Sequence, residues 1–338
     1  MSLEERVAEM PTRVLLTVAG CAWLLAALLA PTASAKTTLA ELRVEGAHGT
    51  LDPGTWYVTG TEKIRKSRQG DACVRDQGQL TFKGPTALGL PQTGSEHRKG
   101  LRQVRVRLDE AGPFVCEIGG ILGRPFTDPD GFAGWSYYLD YTFGSQSADL
   151  VKLSRGDQVL WVFSDFHADP SQQANTGPAL ELRGVPARSG GTFEAEVVAH
   201  VFDGSTQPAE GATIEGASNV TELGDGRYEV TVPEGKSTLT ATRELDIASN
   251  HVKTCVSDKP SDCPRAHGRR VFGSDKGDKL KATRGWDRIA SGGGNDKIKL
   301  RNGGRDRVNC GAGKRDRVAL KRGDDDDKIA RNCEVVKG

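Results

Sequence analysis

A repeat near the C-terminus constrains the fold more than any other part of this 338-residue chain. Six copies of Asp-basic-aliphatic occur, and their aspartates are spaced nine, nine, ten, ten and eleven residues apart. A strand this short cannot bury its aliphatic side chain alone, whereas coils stacked at a fixed period can. The repeat therefore predicts a parallel β-solenoid over residues 265–338. The copies are Asp278-Lys279-Leu280, Asp287-Arg288-Ile289, Asp296-Lys297-Ile298, Asp306-Arg307-Val308, Asp316-Arg317-Val318 and Asp327-Lys328-Ile329.

The N-terminus has the pattern of an export signal. A short apolar run follows Arg13 and ends in Ala33-Ser34-Ala35, which suits cleavage before Lys36. The run is too short and too rich in small residues to favour a permanent membrane span. We therefore predict a signal peptide over residues 1–35, with membrane attachment only if it stays uncleaved. The mature protein is expected to be secreted, extracellular or at the cell surface.

Six cysteines remain after cleavage, and an even number in an exported chain indicates disulfides. Six cysteines allow fifteen connectivities. Pairing within each predicted module selects Cys73–Cys116, Cys255–Cys263 and Cys310–Cys333. The alternative is a metal site, but the sequence has no Cys-x-x-Cys and no histidine at a zinc-like spacing from two cysteines.

Residues 39–166 form the first predicted module, whose segments alternate as strands do. Its Gly134-Trp135-Ser136-Tyr137-Tyr138-Leu139-Asp140 segment, followed by the segment from Leu153 to Trp161, resembles the domain shared with the C-terminal part of transcobalamin. The resemblance implies a small β-grasp-like module that binds a ligand. The cobalamin-binding α-barrel of transcobalamin has no counterpart, so a cobalamin function is not implied. We expect no amphipathic helix longer than two turns in this module, with residues 57–66 as the one candidate.

Three aromatic residues of this module have two interpretations. Along the strand, Trp135 and Tyr137 lie on one face and Tyr138 on the other, so at least one ring is expected to be exposed. Aromatic residues on strands ordinarily pack in the core. The alternative is that Trp135, Tyr137 and Tyr138 stack on a small-molecule ligand.

A polar run over 167–190 is predicted to be a linker, and residues 191–256 a small β-sandwich of short strands. Pro208-x-x-Gly211-Ala212-Thr213-Ile214, Gly224-Asp225-Gly226-Arg227-Tyr228 and Pro233-Glu234-Gly235 resemble the carboxypeptidase regulatory-like domain of surface proteins. In that family the domain is a structural spacer. The fold class expected for the whole chain is all-β and multidomain.

The C-terminal tail resembles the calcium-binding repeats of RTX, or haemolysin-type, proteins, which read Gly-Gly-x-Gly-x-Asp-x-apolar-x. The best copy is Ser291-Gly292-Gly293-Gly294-Asn295-Asp296-Lys297-Ile298. Lys276 and Lys314 replace the third glycine, and the spacings of ten and eleven residues are expected to break the stacking register. The alternative is therefore a rigid coil without calcium, closed by Cys310–Cys333. The resemblance implies Ca²⁺ ligation through oxygen donors by Asp278, Asp287, Asp296, Asp306 and Asp316.

Charge is unevenly distributed along the chain. The formal net charge is +1, but the residues from Arg265 onward carry 21 Lys/Arg against 11 Asp/Glu. Such a tail suits an anionic cell-wall glycan or polymer as partner. Nucleic acid is not expected, because the chain is predicted to be exported and aromatic residues are not interleaved with the cations.

No catalytic motif stands in the sequence. Gly-x-Ser-x-Gly, His-Glu-x-x-His and phosphate-binding Gly-rich loops ahead of a helix are all missing, so no catalytic residue is assigned. The sequence favours an exported, non-enzymatic binding or adhesion-type protein. The alternatives are a purely structural envelope component and a hydrolase whose site the sequence does not reveal.

Overall fold

The computed structural model describes residues 37–67, 73, 75–109, 112–202, 204–300, 305–320 and 326–337. Most of the regular structure in these ranges is β-strand, arranged in five sheets, so the predicted all-β, multidomain fold class is confirmed. The predicted signal peptide lies outside the described residues. Within the described ranges, no helix is both long and apolar enough to cross a membrane.

Ten strands make up the first part of the chain, and they form two sheets. Their bounds are β1 (Thr38–Gly46), β2 (Gly49–Thr59), β3 (Glu62–Ser67), β4 (Arg75–Phe82), β5 (Arg105–Asp109), β6 (Gly112–Ile118), β7 (Ile121–Leu122), β8 (Gly131–Leu139), β9 (Thr142–Phe143) and β10 (Gln158–His167). One sheet joins β2, β1, β10, β8 and β9 in that order, and the other joins β4, β3, β5, β6 and β7. Residues of both sheets share one core, in which Leu42, Ile64 and Val106 are fully buried.

A short helix, α1 (Gly89–His97), packs against β1, β2 and β3. It is longer than the two turns that we expected of an amphipathic helix in this module, because nine residues complete about two and a half turns. Two glycines and a proline lower its helix propensity, so its burial stabilises it instead: Leu90 is inaccessible, and a Cβ on Gly94 would meet Leu42 at 2.8 Å. The prediction of a helix over residues 57–66 is wrong, since these residues span the end of β2 and most of β3.

Eight strands form a sandwich of two antiparallel sheets. Their bounds are β11 (Ala179–Arg183), β12 (Thr192–His200), β13 (Thr206–Pro208), β14 (Thr213–Glu215), β15 (Asn219–Gly224), β16 (Arg227–Thr231), β17 (Gly235–Thr242) and β18 (Val252–Val256). One sheet contains β11, β12, β16 and β15 with β13 paired to β12, and the other contains β14, β17 and β18. Val197 and Leu239 are among the fully buried residues of the core between them.

The sandwich begins earlier in the chain than the sequence indicates. Strand β11 lies inside the run predicted to be a linker, and its Leu180 and Leu182 are buried in the sandwich core. The linker prediction is therefore wrong for these five residues. A single short strand between polar, proline-containing segments gives too few alternating positions to stand out.

The C-terminal tail is a parallel coil, as the repeat predicts. Its strands are β19 (Arg270–Phe272), β20 (Lys279–Lys281), β21 (Arg288–Ala290), β22 (Lys297–Lys299), β23 (Arg307–Asn309), β24 (Arg317–Ala319), β25 (Lys328–Ile329) and β26 (Val335–Lys337). Odd-numbered strands pair in parallel in one sheet and even-numbered strands in another. One turn of the coil therefore contains two repeat units.

The strand register survives the irregular spacing of the repeats. Residue 288 pairs with 307, residue 297 with 317, and residue 307 with 328, at separations of 19, 20 and 21 residues. The additional residues lie between the strands and leave the pairing intact. The expectation that spacings of ten and eleven break the register is therefore wrong.

The coil continues the sheet of the first module. β19 pairs in parallel with β2, with Val271 opposite Trp56, so that nine strands form one sheet from β25 to β9. The core of the coil likewise includes Leu39, Trp56 and Val58. Solenoid ends need a cap that covers their apolar interior. Here β1 and β2 provide it at the N-terminal end, and the predicted boundary at residue 265 falls between elements that share a sheet and a core.

All three predicted disulfides are confirmed. The pairs Cys73–Cys116, Cys255–Cys263 and Cys310–Cys333 have Cα–Cα distances of 5.6, 5.5 and 5.1 Å. The last pair joins residues of the coil that lie 23 positions apart. Three disulfides are typical of a chain that folds in an oxidising compartment.

Candidate functional site

The repeat aspartates lie inside the coil, each directly before a strand. Side chains along each strand alternate between the outside and the inside of the coil, so that Lys297 and Lys299 are exposed while Ile298 between them is buried. Asp296 and Asp316, at the equivalent positions of successive turns on the same side, have no exposed surface at all. The coil therefore encloses carboxylates as well as aliphatic side chains.

The aspartates beside the odd-numbered strands form one hydrogen-bonded ladder. The N–H of Asp287 donates to Oδ1 of Asp306 at 2.8 Å, and the N–H of Asp306 donates to Oδ1 of Asp327 at 2.9 Å. At the top of this ladder the N–H of Arg269 donates to Oδ1 of Asp287 at 2.6 Å. Each carboxylate thus ties its own turn to the turn before it.

A second ladder runs beside the even-numbered strands. The N–H of Asp278 donates to Oδ1 of Asp296, and the N–H of Asp296 donates to Oδ1 of Asp316, both at 2.8 Å. The N–H of Asp316 donates to Oε2 of Glu334 at 3.2 Å. Glu334 therefore ends the ladder, a role that sequence reasoning missed because the unit Glu334-Val335-Val336 lacks both the aspartate and the basic residue.

In the first turn of the coil, the second carboxylate oxygen of each aspartate accepts hydrogen bonds from a residue of the same turn. Oδ2 of Asp278 accepts hydrogen bonds from the N–H and hydroxyl of Ser274 at 2.7 and 3.0 Å. Oδ2 of Asp287 accepts the same pair of bonds from Thr283 at 2.7 and 2.9 Å. A hydroxyl residue four positions before the aspartate thus completes its hydrogen bonding.

The next two aspartates of the second ladder lack this hydroxyl. Gly292 and Ala312 stand four positions before Asp296 and Asp316. Oδ2 of each aspartate is buried and has no hydrogen-bond partner among the described residues. Burial raises the pKa of both carboxyls above the ordinary aspartate value. The hydroxyl of Ser291 is near enough to Asp296 to lower its pKa, but its hydrogen bond goes to the carbonyl of Cys310. The carboxylate of Glu334 raises the pKa of Asp316 further.

Glycines shape the turn that leads to Asp296. Gly292 and Gly294 both have φ of +88°, in the left-handed region that suits glycine. A Cβ on Gly294 would lie 2.5 Å from the backbone nitrogen of Gly277 in the turn before. Lys276 and Lys314, at the position equivalent to Gly294, do not adopt positive φ. Among these three, only the Asp296 turn therefore keeps the left-handed backbone at this position.

The donors around this turn suit a hard cation. Carboxylate oxygens and the backbone carbonyls of a glycine-rich turn are the ligands that Ca²⁺ takes in proteins. No group of three or more His, Cys, Asp or Glu side chains is placed to hold a metal within the described ranges. A calcium ion bound at Asp296 and Asp316 would therefore draw further ligands from backbone carbonyls.

The aromatic residues predicted to stack on a ligand are core residues by their contacts. Trp135, Tyr137 and Tyr138 are only 4%, 6% and 2% exposed, so the expectation that one ring is exposed is wrong. The indole of Trp135 donates to the carbonyl of Ile121, and the hydroxyl of Tyr137 to that of Gln146. Tyr138 is buried on the opposite face, in a cluster that includes Ala179 of β11 and Ile247. Both faces of β8 are covered at these residues because the sandwich packs against the first module.

An exposed aromatic surface occurs elsewhere in the first module. Phe126 is 84% exposed and stacks on Phe132, with ring centroids 4.0 Å apart and planes only 5° from parallel. Phe166, 46% exposed, lies 6.3 Å beyond Phe132. Sequence reasoning missed this surface, although an aromatic residue directly after a Gly-Arg-Pro segment is a signal that could have found it.

A cleft of about 850 Å³ lies where the three parts of the chain meet. Its lining includes Arg43 and Tyr141 of the first module, Lys253 of the sandwich, and Arg270 and Trp286 of the tail. Burial, together with the charges of Arg270 and Arg288, lowers the pKa of Lys253. The cleft is thus rich in cations where the tail meets the sandwich.

A buried polar network joins the first module to the sandwich beside this cleft. The hydroxyl of Thr50 donates to Oε2 of Glu45 at 2.6 Å and lies 3.0 Å from Nε2 of His251. Arg43 donates to the carbonyl of Ala248 at 3.0 Å, and its Nε lies 3.5 Å from Oε1 of Glu45. Burial raises the pKa of Glu45 to about 7. The carboxylate is therefore titratable near neutral pH at an interface between two modules.

Comparison of the chain with known protein families, with curated proteins and with solved structures finds no match. The resemblances to the transcobalamin C-terminal domain, to the carboxypeptidase regulatory-like domain and to RTX repeats stay predictions. The assignment of function therefore depends on the residues of the coil.

Proposed function

We propose that this chain is an exported, non-enzymatic binding protein whose C-terminal coil takes up Ca²⁺ at Asp296 and Asp316. The observation that supports this most directly is the pair of buried Oδ2 atoms without a hydrogen-bond partner among the described residues. An ionised carboxylate buried without a partner is costly, so it must acquire either a proton or a cation. The proton and the calcium ion are thus the two competitors for this position.

The coil itself offers these aspartates no cationic side chain. The basic residues that follow them, Lys297 and Arg317, are exposed on the outside of the strands. Neither aspartate takes part in any ion pair between described residues. A small cation that enters the turn can therefore neutralise charge that the side chains cannot.

The chain's own residues divide the work at this position. Oδ1 of each aspartate accepts a backbone N–H and sets the distance between turns. Oδ2 is left for the ion, and the left-handed backbone at Gly292 and Gly294 sets the direction of the neighbouring carbonyls. Asp278 and Asp287 are weaker candidates, because hydroxyl residues already occupy their Oδ2 atoms. Calcium would supply charge neutralisation and cross-linking of successive turns.

Export supports the same assignment. The Ala33-Ser34-Ala35 pattern and the three disulfides suit an extracellular protein. Extracellular calcium modules work at dissociation constants of roughly 10⁻⁴–10⁻³ M. A site with few carboxylates in a positively charged tail is compatible with this weak range.

The test is calcium titration of the whole mature chain, because the first turn of the coil shares its sheet and core with Trp56. Calorimetry would measure binding, and amide hydrogen exchange at Lys297–Lys299 would report on the coil. We expect saturable binding of Ca²⁺ with slower exchange at this strand, and no such effect of Mg²⁺, which demands stricter octahedral geometry. No change in exchange at millimolar Ca²⁺, with the disulfides intact, would refute calcium uptake.

A second candidate is a structural envelope component that binds no small ligand. The continuous nine-stranded sheet favours it, because one sheet and one core tie the coil to the first module. A chain that ignores calcium and every anionic polymer tested would support this alternative.

A further inference from the structure

The outer face of the even-numbered sheet carries a regular array of cations. Residue 279 pairs with 297 and then 317, while residue 281 pairs with 299 and then 319. In all three strands the outer two positions are exposed and the middle one is buried. We call the five cations at these six outer positions the basic face: Lys279, Lys281, Lys297, Lys299 and Arg317.

The spacing of this array follows from the strand geometry. Neighbouring strands lie about 4.8 Å apart, and alternate residues along one strand lie about 6.6 Å apart. The basic face is therefore two parallel rows of positive charge that run across the strands. A flat, periodic surface of this kind matches a linear polymer with regularly repeated negative charge.

The charges of the basic face are not neutralised within the described part of the chain. None of the five residues forms an ion pair with a described side chain. The nearest acidic residues in sequence, such as Asp296 and Asp316, are buried in the coil and hydrogen-bonded to its backbone. Like charges at this spacing repel each other, so the presence of five unneutralised cations on one face requires an explanation.

Two ordinary explanations do not account for it. Lysines on an edge strand prevent pairing with other chains, and β20 is the edge of its sheet. That explains Lys279 and Lys281 but not the cations of β22 and β24, which are interior strands. Solubility alone is served by charges of mixed sign, whereas these six positions contain no acidic residue.

We propose that the basic face binds a linear anionic polysaccharide that lies across β20, β22 and β24. A polysaccharide fits better than single-stranded nucleic acid, because no aromatic side chain stands among the six outer positions to stack on bases. The proposal names a partner for the binding role proposed above, but it needs only the folded coil and not the calcium ion.

The test compares binding of the mature chain to dextran sulfate and to uncharged dextran, which share a backbone. The face variant carries Lys279→Gln, Lys281→Gln, Lys297→Gln and Lys299→Gln. The control variant removes four cations from the odd-numbered sheet instead, as Arg270→Gln, Arg288→Gln, Arg307→Gln and Lys328→Gln. All eight side chains are exposed, and the two variants have the same net charge.

The expected result is a loss of affinity for dextran sulfate of at least about tenfold in the face variant, with a shallower salt dependence. The control variant should lose less than about twofold, and dextran should not bind to any form. Equal losses in the two variants would overturn the proposal, because net charge alone would then explain binding. Tighter binding of single-stranded DNA than of dextran sulfate, lost in the face variant, would also overturn it in favour of a nucleic-acid surface.

Unchanged thermal unfolding of both variants would establish that the coil is intact. Measurements in millimolar calcium and in chelator separate this proposal from the calcium site. Loss of calcium binding with retained dextran sulfate binding would refute only the calcium proposal. Retained calcium binding without dextran sulfate binding would refute only the basic face.

Discussion

Replacing Asp296 by asparagine is expected to change stability in opposite directions with and without calcium. Asparagine keeps a carbonyl oxygen to accept the N–H of Asp278, which Oδ1 accepts at 2.8 Å, but removes the negative charge from a side chain with no exposed surface. An unsatisfied buried polar atom costs on the order of 1–3 kcal/mol, and more when it is charged. The amide nitrogen takes the place of Oδ2 and still lacks a partner, so only the additional cost of the charge is relieved. In a chelator, the variant should therefore be more stable than the parent chain by roughly 1 kcal/mol.

In saturating calcium the same substitution should be destabilising. Ionised carboxylate is the form that binds a hard cation, and ligand binding stabilises the folded state by mass action. The variant loses this contribution, which is about 2.7 kcal/mol when calcium is at one hundred times its dissociation constant. Hydrogen exchange at β22, measured in both conditions, reports the local free energy of opening of the coil.

The matched control is Asp278→Asn, at the preceding position of the same ladder. Burial also raises the pKa of Asp278, but its Oδ2 already accepts two hydrogen bonds from Ser274, so a neutral amide weakens these bonds and this loss offsets the relief of the buried charge. We expect no reversal of sign for this variant. If Asp296→Asn destabilises the coil in chelator, the argument from the unpaired charge is wrong. If its effect is the same in chelator and in calcium, no calcium binds at Asp296.

The pH dependence of the coil follows from the same carboxyls. The pKa values of Asp296 and Asp316 are raised in the folded chain. In chelator, the stability that their protonated carboxyls contribute is therefore complete below about pH 3.9, and it is lost as the pH rises through the folded pKa. In calcium the trend should reverse over this window, because the ion needs ionised ligands. Hydrogen exchange against pH, with and without calcium, would measure both slopes, and parallel slopes would contradict the competition between proton and ion.

Three further substitutions have clear expected outcomes. Gly292→Ala should destabilise the coil by more than about 2 kcal/mol in chemical denaturation, because its φ is +88° and a Cβ would collide with the preceding turn. The control is Gly204→Ala, which has open space around it and should cost only about 1 kcal/mol. Burial raises the folded pKa of Glu45 to about 7, so the stability of the parent chain should fall by up to about 3 kcal/mol as the pH rises from about 4.5 through 7. Glu45→Gln should abolish this fall. An unchanged pH profile in the variant would show that Glu45 does not titrate in this range. Joint replacement of Cys310 and Cys333 by alanine should cost about 3 kcal/mol, as expected for a closed loop of 23 residues, and a loss below about 1 kcal/mol in denaturant unfolding would show that the coil does not need this link.

Much of the coil could be predicted from the sequence because its information is local. The triplet Asp-Lys-Ile decides which side chain is exposed and which is buried, and the regular recurrence of the triplet predicts parallel stacking. In the second ladder, the residue four positions before the aspartate also decides whether its second oxygen accepts a hydrogen bond from a hydroxyl. Ser274 and Gly292 differ in this respect, and that difference is visible in the sequence once the geometry is known.

Other features depend on contacts between distant segments. The sequence by itself determined the all-β class, the three disulfide pairs, and the alternation that places aspartates and aliphatic residues inside the coil. Only the tertiary structure decided that Tyr138 is buried, because residues such as Ala179 of the sandwich cover its outer face. It also decided that β2 pairs with β19, so that the coil extends the sheet of the first module. The physical reason is that strand alternation specifies a buried face but not its partner, and the partner is selected by whichever apolar surfaces meet when the whole chain folds.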